Sequence, residues 1–153
     1  MTATTGQAAG NEGLLHLLAH VAGKAAIRVA VVHPCDALSL SAALEARVEG
    51  LIEPILVAPR PKLEAVASQA GLELAGLAIE DAPHSHAAAA RAVELAREGK
   101  VEALMKGSLH TDELMSAVVS STTGLRTKRR VSHCFVLQTP QYPRPFIVTD
   151  AAI

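Results

Sequence analysis

A chain of 153 residues, half of them hydrophobic, is long enough for one ordinary domain with a real core, and its formal net charge of −1 excludes a global field that would draw in nucleic acid or an anionic membrane. Aromatic residues make up only 2%, so the core must be built from Ala, Val, Leu and Ile, which suits helices packed on a parallel sheet buried on both faces. No stretch has the layout of a membrane span or a signal peptide, so the expected location is cytoplasmic.

Residues 1–12 read as a flexible tail and 13–153 as an α/β domain. Leu14, Leu15, Leu17, Leu18 and Val21 form an apolar helical face that closes near Gly23. Ile27 to Val32 is an apolar run with one cation and reads as a buried strand, broken by His33-Pro34-Cys35-Asp36. Asp36 or Ser39 can cap the next helix, in which Leu40, Ala43, Leu44 and Val48 share a face and which Gly50 ends. Pro54 to Ala58 reads as a second strand, Pro61 opens a helix that Gly71 closes, and Leu77 to Glu80 is a weaker strand. His84 to Glu98 is alanine-rich and helical, with Gly99 placed for a C-terminal cap. Val101 to Met105 is a short buried strand, and Thr111 to Ser120 a helix whose apolar face is Leu114, Met115 and Val118.

After a basic loop, Arg126 to Arg130, the period changes. Val131 to Thr139 and Pro145 to Thr149 read as a β-hairpin joined by Pro140-Gln141-Tyr142-Pro143. Alternating strands and helices followed by a hairpin predict a three-layer α/β/α sandwich with a mixed sheet. The basic loop lacks interleaved aromatics and reads as solvated rather than as a nucleic-acid patch. Cys35 and Cys134 make no disulfide framework; both fall at or beside strands and read as small core residues. The sequence stops directly after a strand, which reads as a truncated or separately built half.

Ligands of open α/β sheets sit outside the carboxyl ends of the strands. Four positions fall there: His33 to Asp36, Lys106 to Thr111, Gly124 to Ser132, and Thr149 with Asp150. Lys106 follows four apolar residues, Gly107 lets the chain turn and a ligand approach the backbone, and Ser108 and Thr111 supply hydroxyls; Thr111 can also cap the helix. These residues fit a phosphate cradle and a capped helix with an exposed lysine equally well. The Walker pattern is absent. Arg126 and Arg130 offer guanidinium forks for a phosphate, while Lys128 and Arg129 fit a solvated loop better. His133 fits a hydrogen-bonded structural histidine better than a general acid or base. His84 and His86 lie near a helix start, and their spacing of two does not suit a shared face, so they are not read as metal ligands.

Glu53-Pro54-Ile55-Leu56-Val57, the alanine-rich helix ending in Gly99, Ala103-Leu104-Met105-Lys106-Gly107, Thr111 with its helix, Gly124-Leu125-Arg126-Thr127, Arg130-Val131-Ser132-His133, Leu137 onward, and Phe146-Ile147-Val148-Thr149-Asp150-Ala151-Ala152 follow one another in a specific order. In that order they resemble the N-terminal half of the phosphate acetyl/butyryltransferase family, from about Ile27 to Ile153. The Gly-Leu-Arg and Ser-His pieces lean toward the butyryl-type members.

The resemblance implies an enzyme that moves an acyl group between coenzyme A and inorganic phosphate, giving an acyl phosphate, with no bound cofactor, no metal and no covalent acyl-enzyme. It implies an isocitrate/isopropylmalate dehydrogenase-like fold of two α/β domains with the active site in their cleft, in a homo-oligomer. A base takes the coenzyme A thiol proton, the thiolate attacks the acyl phosphate, and cationic and hydroxyl groups hold the phosphate and the oxyanion. The family's thiol-activating aspartate and its companion serine and arginine belong to the C-terminal half, so no catalytic residue carries over and turnover is expected to need a second domain. What carries over is one wall of the cleft: Lys106, Gly107, Ser108, Thr111, Arg130, Ser132, His133, Thr149 and Asp150. Two other readings stay open. An isopropylmalate-dehydrogenase-like oxidoreductase fragment would want a nicotinamide site and an aspartate cluster, neither visible here; a half-length chain could instead be a non-enzymatic small-molecule-binding or assembly module.

Overall fold

The computed structural model describes residues 12–139 and 141–150. The expected tail lies outside the described residues apart from Glu12, as do Pro140 and the last three positions, Ala151 to Ile153. In chain order the elements are α1 (Glu12–Val21), β1 (Ile27–Val32), α2 (Ala37–Val48), β2 (Ile52–Ala58), α3 (Arg60–Ala70), β3 (Ala78–Asp81), α4 (Ser85–Arg97), β4 (Ala103–Lys106), α5 (Thr111–Val118), β5 (Cys134–Thr139) and β6 (Tyr142–Thr149). The chain divides into two compact units, Ala25–Thr127 and the pair Met1–Lys24 with Lys128–Ile153.

The unit Ala25–Thr127 is a four-stranded parallel sheet in the order β3-β2-β1-β4 with helices on both faces. Its centre is β1, whose last four residues are all buried, as a strand covered on both faces requires. Strand alternation sends Val29 and Val31 to one face, where Leu40 and Ala43 of α2, Leu56 and Ala58 of β2, and Leu63 and Ala67 of α3 meet them. Ala30 and Val32 point the other way, into Val57, Ala88, Ala89, Ala92 and Leu95, with Leu109 and Leu114 beyond. The alanines of α4 bring that helix close to the sheet. The aromatic-poor core is thus filled by short side chains at close spacing.

Local signals explain the boundaries. Asp36 caps α2, its carboxylate accepting from the Ser39 N–H at 2.7 Å. Pro61 sits in the first turn of α3, and Gly71 ends that helix in the left-handed region at φ 66°. Val48 does not share the buried face of α2: as the last helical residue it runs past the sheet and is 85% exposed.

In the other unit β5 and β6 pair antiparallel, from Cys134 opposite Thr149 to Thr139 opposite Tyr142, with an irregularity between Leu137 and Thr139. Gly13 of α1 stands against Pro145 and Gln138, so closely that a Cβ there would lie 2.5 Å from the proline ring. Among the described residues the hairpin is a sheet of its own and does not join the parallel strands. The expected mixed sheet is therefore two sheets, because the hairpin's pairing is satisfied locally. Both its strands are edges, and Phe135, Val136, Leu137 and Ile147 stay exposed. Cys134 is exposed rather than a core residue, while Cys35 is buried as expected.

Candidate anion-binding site at the strand ends

The strand order fixes where a site can be. The chain leaves β1 toward α2 on one face of the sheet and leaves the adjacent β4 toward α5 on the other. Adjacent parallel strands whose connections diverge leave a crevice at their carboxyl ends. His33 to Asp36 and Lys106 to Ser108 form the two lips of that crevice.

Backbone pairing continues past the strands. The Gly107 N–H donates to Val32 O at 2.9 Å and the Ser108 N–H to His33 O at 2.9 Å. A Cβ on Gly107 would lie 2.5 Å from Val32 O and 2.6 Å from His33 O, so this position is glycine because two backbones meet there. The Ser108 hydroxyl donates to His33 O at 2.8 Å and accepts from the Cys35 N–H at 3.2 Å. Ser108 is therefore a tie between the two lips, its proton already committed, rather than the free donor expected from sequence. Lys106 Nζ donates to Gly107 O at 3.2 Å and Leu109 O at 2.9 Å, which closes its own loop and leaves one of three ammonium hydrogens for a ligand.

His33 is the residue that sequence reasoning passed over. Its loop is flagged, yet it is not singled out. It is a buried polar side chain at a left-handed φ of 54°, uncommon outside glycine. Its N–H extends the ladder to Val57 O at 2.8 Å, and its carbonyl also accepts from the Cys35 N–H at 2.8 Å. Its Nδ1 lies 3.3 Å from Ser108 Oγ. Burial pushes the imidazole pKa down, and the Lys62 charge pushes it the same way, against Glu113 and Asp36. Burial pushes the Cys35 thiol up, which suits an inert core thiol rather than a nucleophile. The Asp36 carboxyl is held below its usual range by the Ser39 hydrogen bonds, with Lys106 a smaller cause.

Thr111 is the first residue of α5 and is exposed, but it does not cap the helix. His110 holds the N-cap position, and the Glu113 carboxylate reaches back to accept from its N–H at 3.1 Å. Asp112 and Glu113 already satisfy the dipole of that first turn, which makes the helix start less hospitable to an anion than the loop before it. Glu113 also accepts from Ser85 Oγ at 3.0 Å and pairs with His86 at 3.1 Å. His84 caps α4 through its Nδ1, 3.2 Å from the Ala87 N–H.

The remaining expected residues belong to the other unit. Ser132, His133, Thr149 and Asp150 gather at the open end of the hairpin, where the Asp150 N–H donates to His133 O at 3.0 Å. The His133 ring stands edge-on to Phe135 with centroids 4.0 Å apart. Its Nδ1 is buried without a hydrogen-bond partner, so the hydrogen bond expected for a structural histidine is missing at that atom. Asp150 has a φ of 56°. Arg130 is exposed in the segment before β5. The nine expected residues thus divide between the units, four in Ala25–Thr127 and five in the other. Two concavities of Ala25–Thr127 lie away from these strand ends. One of about 450 Å³ is lined by Arg28, Arg47 and Glu53, and one of about 600 Å³ lies against α4 and α5.

No family model matches the chain. It is 55% identical over 137 residues to the phosphate acetyltransferase of Rhizobium meliloti, a match covering 90% of this chain and 43% of that protein. It is 50% identical to the phosphate acetyltransferase of Rickettsia prowazekii, covering 91% and 40%. It is 31% identical to the phosphate butyryltransferase of Clostridium acetobutylicum, covering 89% and 45%. Among these relatives the acetyl-named proteins stand nearer, which reverses the expected lean to the butyryl type. In fold the chain resembles the EutD phosphotransacetylase of Staphylococcus aureus, with a TM-score of 0.65 at 15% identity over 92% of this chain and 50% of that one. It also resembles a branched-chain phosphotransacylase of Enterococcus faecalis, with a TM-score of 0.59 at 19% identity over 83% and 44%. The chain spans under half the length of the curated relatives it matches. Over about nine tenths of its own length, it is a homologue of the phosphate acetyl/butyryltransferases.

Proposed function

We propose that this chain supplies the phosphate-binding surface of a phosphate acyltransferase, which exchanges an acyl group between coenzyme A and inorganic phosphate. The observation that carries the reading is the Lys106 loop at the β1–β4 crevice, in a chain 55% identical to a phosphate acetyltransferase. In that reaction a phosphate oxygen attacks the thioester carbonyl and the coenzyme A thiolate leaves, or the thiolate attacks the acyl phosphate in reverse. Lys106 and the crevice backbone hold the phosphoryl group and offset its charge. The group that handles the thiol proton belongs to polypeptide outside the part of the relatives spanned here, so phosphate binding without turnover is the expected behaviour of this chain. An architecture like that of isocitrate and isopropylmalate dehydrogenases, a homo-oligomeric state and a cytoplasmic location complete the proposal. The exposed apolar residues of the hairpin support self-association.

The test is a titration of the chain with inorganic phosphate, followed by amide chemical shifts. Saturable shifts at Gly107 and Ser108 are expected; their absence removes the reading. Acetyl phosphate formation from acetyl-CoA and phosphate by this chain would overturn the claim that turnover needs further polypeptide.

A further inference from the structure

We propose that His33 selects which oxyanion the β1–β4 crevice holds: its Nε2 accepts the P–O–H proton of inorganic phosphate, favouring it over fully ionised oxyanions such as sulfate or a phosphomonoester. This rests on the reading of the crevice as a phosphate site, and it assigns that site to free phosphate rather than to a phosphate ester of coenzyme A.

The tautomer follows from counting protons. Ser108 carries one hydroxyl hydrogen, and the 2.8 Å contact to His33 O takes it. Ser108 Oγ is then an acceptor toward its other neighbours, the Cys35 N–H at 3.2 Å and His33 Nδ1 at 3.3 Å. Nδ1 must carry the hydrogen. A neutral imidazole protonated at Nδ1 presents a lone pair at Nε2. Among the described residues no group bonds to Nε2, and it is not one of the buried unsatisfied atoms, so it opens to solvent from a residue only 8% exposed.

The imidazole stays neutral because burial and the Lys62 charge disfavour its cation; Glu113 and Asp36 act the other way and do not reverse the shift. The backbone holds the ring in place at a cost. A φ of 54° is unfavourable for a residue with a Cβ, and three hydrogen bonds into the His33 carbonyl, from the Cys35 N–H, the Ser108 N–H and Ser108 Oγ, over-determine it.

The ligand chemistry is then specific. At pH 8 inorganic phosphate is mainly a dianion that keeps one P–O–H. Sulfate is a dianion with no hydrogen, and a phosphomonoester, with its second pKa at about 6, has lost its own. All three carry nearly the same charge, so Lys106 and Lys62 do not tell them apart. A lone pair at Nε2 does: it is bonded by the P–O–H and opposed by the bare oxygens of the others.

The experiment titrates the chain at pH 8 with inorganic phosphate, sulfate and methyl phosphate, reading the Gly107 and Ser108 amides, in the wild type and in His33→Asn. Asparagine tolerates positive φ, and its amide hydrogen can replace Nδ1 toward Ser108, but nothing replaces Nε2. The wild type is expected to bind phosphate at least about tenfold more tightly than the other two, the scale of one hydrogen bond to a charged group. In His33→Asn the three affinities are expected to converge while that for sulfate is kept. Equal wild-type affinities overturn the proposal without any variant, and so does an undiminished preference in His33→Asn. If phosphate moves neither amide in the wild type, the phosphate reading of the crevice fails and this proposal falls with it.

Discussion

Replacing Gly107 by alanine tests the idea that the crevice is built by direct contact of two backbones. The added Cβ would lie 2.5 Å from Val32 O, 2.6 Å from His33 O and 2.7 Å from the His33 carbonyl carbon. All three atoms are backbone at the end of the central strand, where no side chain can swing aside. Relief requires the β4 loop to retreat from β1, and that retreat weakens the 2.9 Å bonds from the Gly107 and Ser108 N–H groups and the 2.8 Å bond from Ser108 Oγ. Overpacking costs about 1–3 kcal/mol and each weakened hydrogen bond up to about 1 kcal/mol, so a loss of roughly 3 kcal/mol is expected. For a chain of this size that lowers Tm by roughly 6–12 °C. Gly71→Ala is the control: nothing lies within 4 Å of its added Cβ, and only its φ of 66° is at stake, so about 1 kcal/mol is expected. Urea unfolding followed by circular dichroism measures both. A Gly107→Ala variant within about 0.5 kcal/mol of wild type would refute the close approach as the reason for this glycine.

Leu56→Ala empties a fully buried position between β2 and the α2–α3 face, and should cost about 2–5 kcal/mol in urea unfolding. Asp36→Ala removes the α2 cap and should cost about 1 kcal/mol, while Asp36→Asn should keep most of it; thermal unfolding near neutral pH separates the two. His33 gives the protein an acid sensitivity. Its folded pKa lies below the unfolded 6.5, so as the pH falls the unfolded chain takes up this proton first. Its contribution is therefore unchanged above that value, declines as the pH drops below it, and levels off once the folded state protonates. The stability of the wild type relative to His33→Asn should fall across that window, and a difference that is flat with pH would remove His33 as the source.

Most of the fold was legible because its signals are local. The run Ile27 to Val32 is β1 to the residue, and Pro61, Gly71 and Gly99 punctuate α3 and α4 where expected. The grouping of strands was less legible. Pairing partners are long-range, and nothing in the alternation of Val131 to Thr139 tells whether the hairpin extends a neighbouring sheet or closes on itself. The Val48 error has the same origin: a 3.6-residue period defines a stripe, but how far the stripe is covered depends on the length of the sheet beneath it.

At the site, residue type announced the parts but not which atoms were free. Lysine, glycine, serine and threonine in sequence after a strand looked like four contributions to one cradle. Three-dimensional bonding spends them differently. Gly107 makes room for β1, Ser108 ties the lips together, Glu113 closes the α5 start that Thr111 opens, and Lys106 keeps one hydrogen in reserve. The proton count at Ser108 also decides what His33 can do, because a hydroxyl already donating to a carbonyl forces the neighbouring imidazole to donate as well. Removing that hydroxyl should therefore change the histidine. In Ser108→Ala the hydrogen on His33 loses its partner at Nδ1, and the tautomer preference should relax toward Nε2–H. The 15N shifts of the His33 ring read this directly. Ring shifts identical in wild type and Ser108→Ala would mean that Ser108 does not set the tautomer.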